Sequence, residues 1–276
     1  MGRFIGIVKV TFQEGLTYRT QFLADVSVGC VYLLSFYYLW HAIYAGRAEI
    51  AGISLASMVA YTLVSTLIGF IVRQDVNIMI GEKVYGGDIA VELTKPISYQ
   101  LVVLYTAVGQ ALFNLFFKGV PVFILFGYLL DIAIPFEPTR LLLAALSCML
   151  GFAMYFLIDL SLGCVSFWIT QTFGVNQFKN VFMAFCAGSI MPLDFYPAFL
   201  RDALAIMPFK GCFYSPLAIY LGVAPQNNTL YDSLLTHMPS YELLLIIEQL
   251  TWILIVLGLS QVLWKKALRK VVILGG

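Results

Sequence analysis

Charge is what this sequence is short of. Only 11% of its 276 residues are Asp, Glu, Lys or Arg, while 61% are hydrophobic and the mean hydropathy is +0.90. A soluble domain carries about a quarter charged residues, so this chain cannot cover itself with a water-facing surface and most of it must face lipid. Nor is one sign in excess. The net charge of +1 and the pI near 7.6 give no reason to expect nucleic acid, and no basic block of the needed size exists outside the C-terminus.

Histidine and cysteine are scarce as well. His41 and His237 are the only histidines, far apart in loops or at a membrane face, and metal ligation needs more convergence than that. Cys30, Cys148, Cys164, Cys186 and Cys212 show no CxxC spacing, and the first four sit in apolar runs where a thiol behaves as a small hydrophobe. Neither a metal nor a disulfide framework is expected. The chain has no G-x-x-x-x-G-K-S/T loop; its nearest glycine cluster, GEKVYGGD, has the wrong spacing and no Lys-Ser/Thr ending to hold phosphate and magnesium. HExxH, a serine elbow and a GxGD motif are missing too, and Gly86-Gly87-Asp88 lies in a polar loop, so no catalytic residue is expected. The N-terminus MGRFIGIVKVTFQEG lacks the apolar core and cleavage site of a signal peptide. Gly6 stands where a myristoylation motif wants Ser or Thr. Asn227-Asn228-Thr229 fits a glycosylation pattern but reads as a polar loop.

The charge that is present gathers in one place. From Arg73 to Gln100 the chain reads RQDVNIMIGEKVYGGDIAVELTKPISYQ, with Arg73, Asp75, Glu82, Lys83, Asp88, Glu92 and Lys95 in a row. Gly86-Gly87 and Pro96 interrupt it, which predicts a short helix over 75–84, a glycine turn and a second helix over 88–94. Such a segment suits docking onto a soluble partner; the plain alternative is a solvated loop.

Around it lie six stretches near the roughly 20 residues that cross a bilayer core. They run over 22–44, 53–72, 99–130, 141–169, a weaker 173–191, and 241–263. Trp40, His41 and Tyr44 close the first at a headgroup level. The third is longer than needed and contains Lys118-Gly119-Val120-Pro121, which predicts a tilt or a proline kink. A polar turn around Gln171 to Lys179 precedes the fifth. Residues 3–19 carry Phe4, Val8, Phe12 and Leu16 four apart beside a polar face, as an interfacial helix would. Between 192 and 240, Pro192, Pro197, Pro208, Pro216, Pro225 and Pro239 cut the chain into short pieces. Pro197 opens AFLRDALAIM, and Ser215-Pro216 reads as N-cap and first helical residue. Two short helices there would dip into the membrane and return. The fold class is therefore an all-α polytopic membrane protein forming a single transmembrane domain over 1–276.

With six crossings both termini share a face. That face, with the 73–98 region and the turn at Lys179, holds eleven of the sixteen Lys and Arg, against four on the other (Arg47, Arg140, Arg201, Lys210), which sets both termini in the cytoplasm. Lys118 and Asp159 fall within spans, where either charge costs about 2.5–3.5 kcal/mol and needs a partner, a cavity or a neighbouring protomer. A mutual salt bridge would face a depth mismatch of about 6 Å, which long side chains or a kink at Pro121 would have to close. Asp25 and Glu248, near span ends, reach the interface and receive no function. The 22 Phe, 16 Tyr and 4 Trp would suit a pathway for an apolar substrate, but lipid-facing packing explains most of them.

This layout resembles the permease subunits of bacterial type-2 ABC exporters. The matching pieces are the amphipathic N-terminal helix ending in Tyr18-Arg19, GGDIAVELTKPIS between the second and third spans, MPLDFYPAFLRDALAIMPF after the fifth, and LWKKALRKVVILGG at the C-terminus. Their order and spacing carry the resemblance, which covers the chain end to end. It implies a dimer of permeases in the bacterial plasma membrane, homo- or heteromeric. Each would dock on a separate ATPase that binds ATP and magnesium, through a coupling element comprising Glu82, Lys83, Tyr85, Gly86, Gly87, Asp88, Glu92, Leu93, Lys95 and Pro96. It also implies a re-entrant hairpin marked by Pro192, Pro197, Pro208 and Pro216. This chain itself would hold no cofactor. Members of the family handle varied substrates, so the substrate stays open. The competing reading is a membrane scaffold or sensor that docks a soluble partner without transport of its own.

Overall fold

The computed structural model describes residues 2–17, 19–132, 137–169, 172–222 and 240–274. Within them the chain is nearly all helix, because in lipid each backbone amide must be satisfied inside its own segment. Helix α1 spans Gly2–Thr17 and α2 Arg19–Ile43; a two-residue hairpin, β1 (Glu49–Ile50) with β2 (Ile53–Ser54), leads into α3 (Leu55–Val72). Then come α4 (Val76–Tyr85), α5 (Ile89–Thr94), α6 (Tyr99–Phe113), α7 (Val120–Leu129) and α8 (Pro138–Val165). The remainder is α9 (Phe173–Cys186), α10 (Ala198–Ile206), α11 (Tyr214–Leu221) and α12 (Tyr241–Leu274). Asn227-Asn228-Thr229, Pro225, Pro239, His237, Tyr18 and Gln171 lie outside the described residues.

Among the described residues five stretches are long and apolar enough to cross a membrane: Phe22–Ile43, Leu55–Tyr85, Tyr99–Leu129, Pro138–Val165 and Tyr241–Val271. The expected span over 173–191 is α9, whose 14 residues reach about 21 Å, less than the roughly 30 Å of a hydrocarbon core. The third stretch changes its helical form just ahead of Pro121. Residues Asn114–Gly119 form a π-helical segment, in which the Val120 amide donates to the Leu115 carbonyl. Pro121 has no amide to donate and its ring would strike the carbonyl four residues back; the wider turn carries the helix past it.

The packed face of α1 keeps Phe4, Val8 and Phe12 of the predicted stripe and departs from it at Leu16. Phe4 stacks on Tyr105 with centroids 4.5 Å apart, Thr11 is buried, and Leu16 is 43% exposed. A spacing of four drifts by about 40° per step on a 3.6-residue helix, so the contact line takes in Phe4, Val8, Thr11, Phe12 and Gly15, with Phe12 edge-on to Phe113 and Phe117, and leaves Leu16 outside it. Glycine permits it: a Cβ on Gly109 would lie 2.9 Å from the Val8 carbonyl oxygen.

Helix α8 is the post of the bundle, with α4, α11 and α12 packed against it. Two of its glycines set the approach. A Cβ on Gly151 would lie 2.9 Å from the Cys212 carbonyl oxygen, and one on Gly163 would lie 2.6 Å from Ile80 Cδ1. The proline-rich segment folds back beside α8 as a 3₁₀ turn at Leu193–Phe195, α10, a 3₁₀ turn at Pro208–Cys212, and α11. Pro192 and Pro197 precede helical turns, Pro208 opens one, and Pro216 sits in the first turn of α11, all places where a missing amide costs nothing. Helix α11 begins at Tyr214, two residues before the expected start at Pro216.

Candidate functional site

Helix α4 opens the polar stretch, and its first turn is held by a residue from another helix. Asp75 precedes α4 without capping it through its side chain. Asp159 of α8, fully buried, does so instead: its Oδ2 accepts from the Val76 amide at 2.9 Å and the Asn77 amide at 3.5 Å. Its Oδ1 accepts from Lys179 Nζ of α9 at 2.7 Å. That lysine, itself buried, lies 3.5 Å from Asn77 Oδ1 and 4.0 Å from Asp75 Oδ1, and 5.1 Å above the Tyr155 ring. Asn176 Nδ2 adds a bond of 3.4 Å to Asp75 Oδ1. One carboxylate thus answers an ammonium and the positive end of a helix, and three helices meet at one buried point.

This arrangement corrects the sequence reading of the intramembrane charges. Asp159 does not pair with Lys118. Lys118, in the π segment, pairs with Asp25 of α2 at 2.7 Å. Lys179, expected in a polar turn, is on a helix and inside the protein. Asp25 and Glu248, expected simply to reach the interface, both take lysine partners: Lys210 in the hairpin meets Glu248 of α12 at 2.8 Å. Gln249 next to it donates to the Ser147 carbonyl at 3.0 Å and the Gly211 carbonyl at 2.7 Å and accepts from Ser147 Oγ at 2.8 Å.

Further along, α4 is fastened to the α8–α9 side. Ile80 seats on Gly163, Gly81 faces Thr172 so closely that a Cβ would lie 2.6 Å from its Oγ1, and Tyr85 donates through its hydroxyl to the Ile169 carbonyl at 3.0 Å. The turn into α5 runs through Gly87 at φ +77°, a left-handed conformation that glycine adopts without strain. Gly86 has ordinary helical angles, φ −69°. Around this turn Lys83 lies 3.3 Å from Asp88 and 3.9 Å from Glu92, and Lys95 lies 2.7 Å from Glu92. Exposed pairs of this kind add little stability, and their effect is to order the turn.

Of the residues marked from sequence, Lys83, Asp88, Glu92 and Lys95 come together in that cluster. Glu82, Tyr85, Gly86, Gly87 and Pro96 are exposed around it. Leu93 instead packs inward beside the cluster formed by Val76, Ile80 and Tyr99. Val91, not marked, is 61% exposed and is the outward apolar side chain of α5. Sequence reasoning also missed Lys179 and Asn77 as partners of Asp159. The available signal was an isolated Asp in an apolar run, which demands a cation from elsewhere in the chain. Among the described residues no group of three or more His, Cys, Asp and Glu converges on a metal-sized site.

A family model described as ABC-2 family transporter protein matches residues 30–275. No curated protein and no solved structure matches the chain. The matched region takes in four of the five long apolar stretches whole and the first from residue 30 on, together with α4, α5 and the buried charge hub. The chain is therefore a multi-pass membrane protein that belongs to the ABC-2 family of transporters, as one of its permease subunits.

Proposed function

We propose that this permease is half of the membrane part of an ATP-driven exporter in a bacterial plasma membrane. It pairs with a second permease, identical or related, and substrate leaves the cell between them. Six crossings, with α9 and the residues after it as the short fifth, place both termini and the α4–α5 pair in the cytoplasm. There α4 and α5 dock on a separate ATPase subunit that binds ATP and magnesium. The segment from Pro192 re-enters the membrane from the outside and caps the outer end of the pathway.

The single observation that carries this reading is the Asp159–Lys179 hub. A solvated loop has no need of a buried carboxylate at the first turn of its helix. A lever does: a displacement of α4 by the ATPase reaches α8 and α9 at once, because the ion pair and the helix-end bonds move together. Tyr85 and Val91 supply apolar contact at the docking face, and the Lys83, Asp88, Glu92, Lys95 cluster sets the angle between α4 and α5.

Two experiments test it. Replacing residues 82–95 by a flexible linker should abolish co-purification of an ATPase subunit from native membranes in mild detergent while the chain stays monodisperse. If no ATPase accompanies even the unaltered chain, the scaffold alternative takes over. Gly87→Val forces a β-branched residue into a left-handed conformation, at a cost of about 1–3 kcal/mol confined to the turn. We expect transport per ATP hydrolysed to fall severalfold with the melting temperature of the spans unchanged, and Gly86→Ala to be mild by comparison. Unaltered coupling in a folded Gly87→Val protein would contradict the docking role.

A further inference from the structure

The polar charge of this chain is not confined to the helix pair. A cavity of about 510 Å³ opens between α1, α2, α6 and the end of α3, lined by Glu14, Asp25, Arg73, Asp75 and Lys118 among others. A second cavity of about 290 Å³ shares Asp25, Arg73 and Asn114 with it and runs between α2 and α3 past Val28, Tyr32 and Phe70. The two adjoin at these shared residues, so that a ligand lying across them would have one charged arm and one largely apolar arm, each of about the size of a small-molecule site.

The charges in the first arm have both signs and do not cancel. Lys118 and Asp25 neutralise one another at 2.7 Å. Arg73 donates to Ser189 Oγ at 3.0 Å and lies 5.2 Å from the Phe213 ring centroid, and among the described residues no carboxylate lies within 4 Å of it. A guanidinium has five donors in a planar fork that matches phosphate or carboxylate, and Arg73, with one nitrogen bonded to Ser189, lines both cavities. Glu14, on the α1 wall, makes no ion pair or hydrogen bond among the described residues, and Asp75, whose Oδ1 already meets Asn176 and Lys179, is exposed on the same wall as Arg73. An anion alone would face Glu14 and Asp75, and a cation alone would face Arg73. A molecule bearing both charges satisfies both.

The depth of the cavity supplies the rest. Asp25 lies three residues into the apolar stretch that begins at Phe22, and Arg73 directly follows the last residue of α3. Asp25 and Arg73 thus put the charged arm beside the start of the α2 stretch and the end of α3, the level we assign to lipid head groups, with Lys118 further along the third stretch, and the second arm leads along α2 and α3. We propose that this two-armed cavity binds a zwitterionic amphiphile, its phosphate or carboxylate on Arg73, its ammonium toward Glu14 and Asp75, and its hydrocarbon chain between α2 and α3. The assignment of that molecule as the transported substrate rests on the exporter reading; the binding itself does not.

The test uses the full chain in nonionic detergent with lysophosphatidylethanolamine carrying a photoactivatable acyl chain. Competitors of equal chain length are an alkyl phosphate, an alkyl ammonium and an alkyl glucoside. We expect the unlabelled zwitterion to displace the probe at least about tenfold better than any of the three, with label on α2 and α3 peptides. Arg73→Gln and Glu14→Gln should each weaken binding by about tenfold, as loss of a charge-assisted hydrogen bond does, and Lys266→Gln should leave it unchanged. Each variant is first shown to keep the melting temperature of the parent. Equal competition by all four amphiphiles, label confined to other helices, or parental affinity in both variants would overturn the proposal. A phospholipid that co-purifies in stoichiometric amount and is lost in Arg73→Gln marks the ligand as resident lipid. Probe binding without a retained lipid marks it as transient cargo, and either supports the site. Co-purification of the ATPase, scored in the same preparations, separates failure of this proposal from failure of the exporter reading.

Discussion

Lys179→Met is expected to lower the unfolding free energy of the purified chain by about 3–5 kcal/mol, because it strands a fully buried carboxylate. Asp159→Ala should be at least as damaging. It leaves Lys179 without its carboxylate partner and removes the acceptor at the first turn of α4, where Val76 donates at 2.9 Å. The pair Asp159→Asn with Lys179→Met removes both charges and keeps an amide oxygen for the helix amides, so it should recover most of the loss. Exchanging the two residues tests the second half of the argument. Asp159→Lys with Lys179→Asp restores opposite charges but points an ammonium at the positive end of α4, and it should remain destabilised. The readout is loss of the monodisperse species on heating, together with retention of the ATPase. Parental stability in Lys179→Met, or full rescue by the exchange, would remove the hub from the account.

The second large effect is expected at Gly151. Valine there would place a Cβ 2.9 Å from the Cys212 carbonyl oxygen and 3.0 Å from that of Gly211, and backbone cannot give way as a side-chain end does. Overpacking of this kind costs about 1–3 kcal/mol. Displacing Gly211 also breaks its 2.7 Å bond from Gln249, and an unmade buried bond adds about 1–3 kcal/mol. The hairpin should then lift away from α8. Cys212, which has no exposed surface, gives a direct report: in a background where the half-buried Cys30 is serine, its thiol should react with maleimide in Gly151→Val and stay protected in the parent. Gly174→Val is the control, since nothing lies within 4 Å of a Cβ there. A protected Cys212 in Gly151→Val would show that the hairpin does not depend on this approach.

Several of these features were legible in the residues. The apolar runs demanded helices in lipid, and each long stretch of the structure begins within three residues of an expected span, although Leu55–Tyr85 and Tyr241–Val271 run well past the expected ends at 72 and 263. The paired short helices around Gly86-Gly87 followed from local chemistry, since a glycine turn needs no distant partner. The prolines of the hairpin marked helical starts for the same reason. The placement of α1 was less accessible. Its amphipathic face was visible, but which residues touch α6 depended on the close approach at Gly109 and on the drift of the helical period.

Sequence alone determined that this protein lives in a membrane, that it has no nucleotide loop of its own, and that its charge gathers between two apolar runs. These are properties of composition and of neighbours in the chain. Which lysine answers Asp159, and which carboxylate answers Lys118, only the tertiary structure decided. Lys179 is 20 residues from Asp159, and Asp25 is 93 residues from Lys118. A buried charge declares that it needs a partner, but its Coulomb energy depends on distance in space. In this chain that distance was set by glycine contacts and by the depth at which separate helices cross.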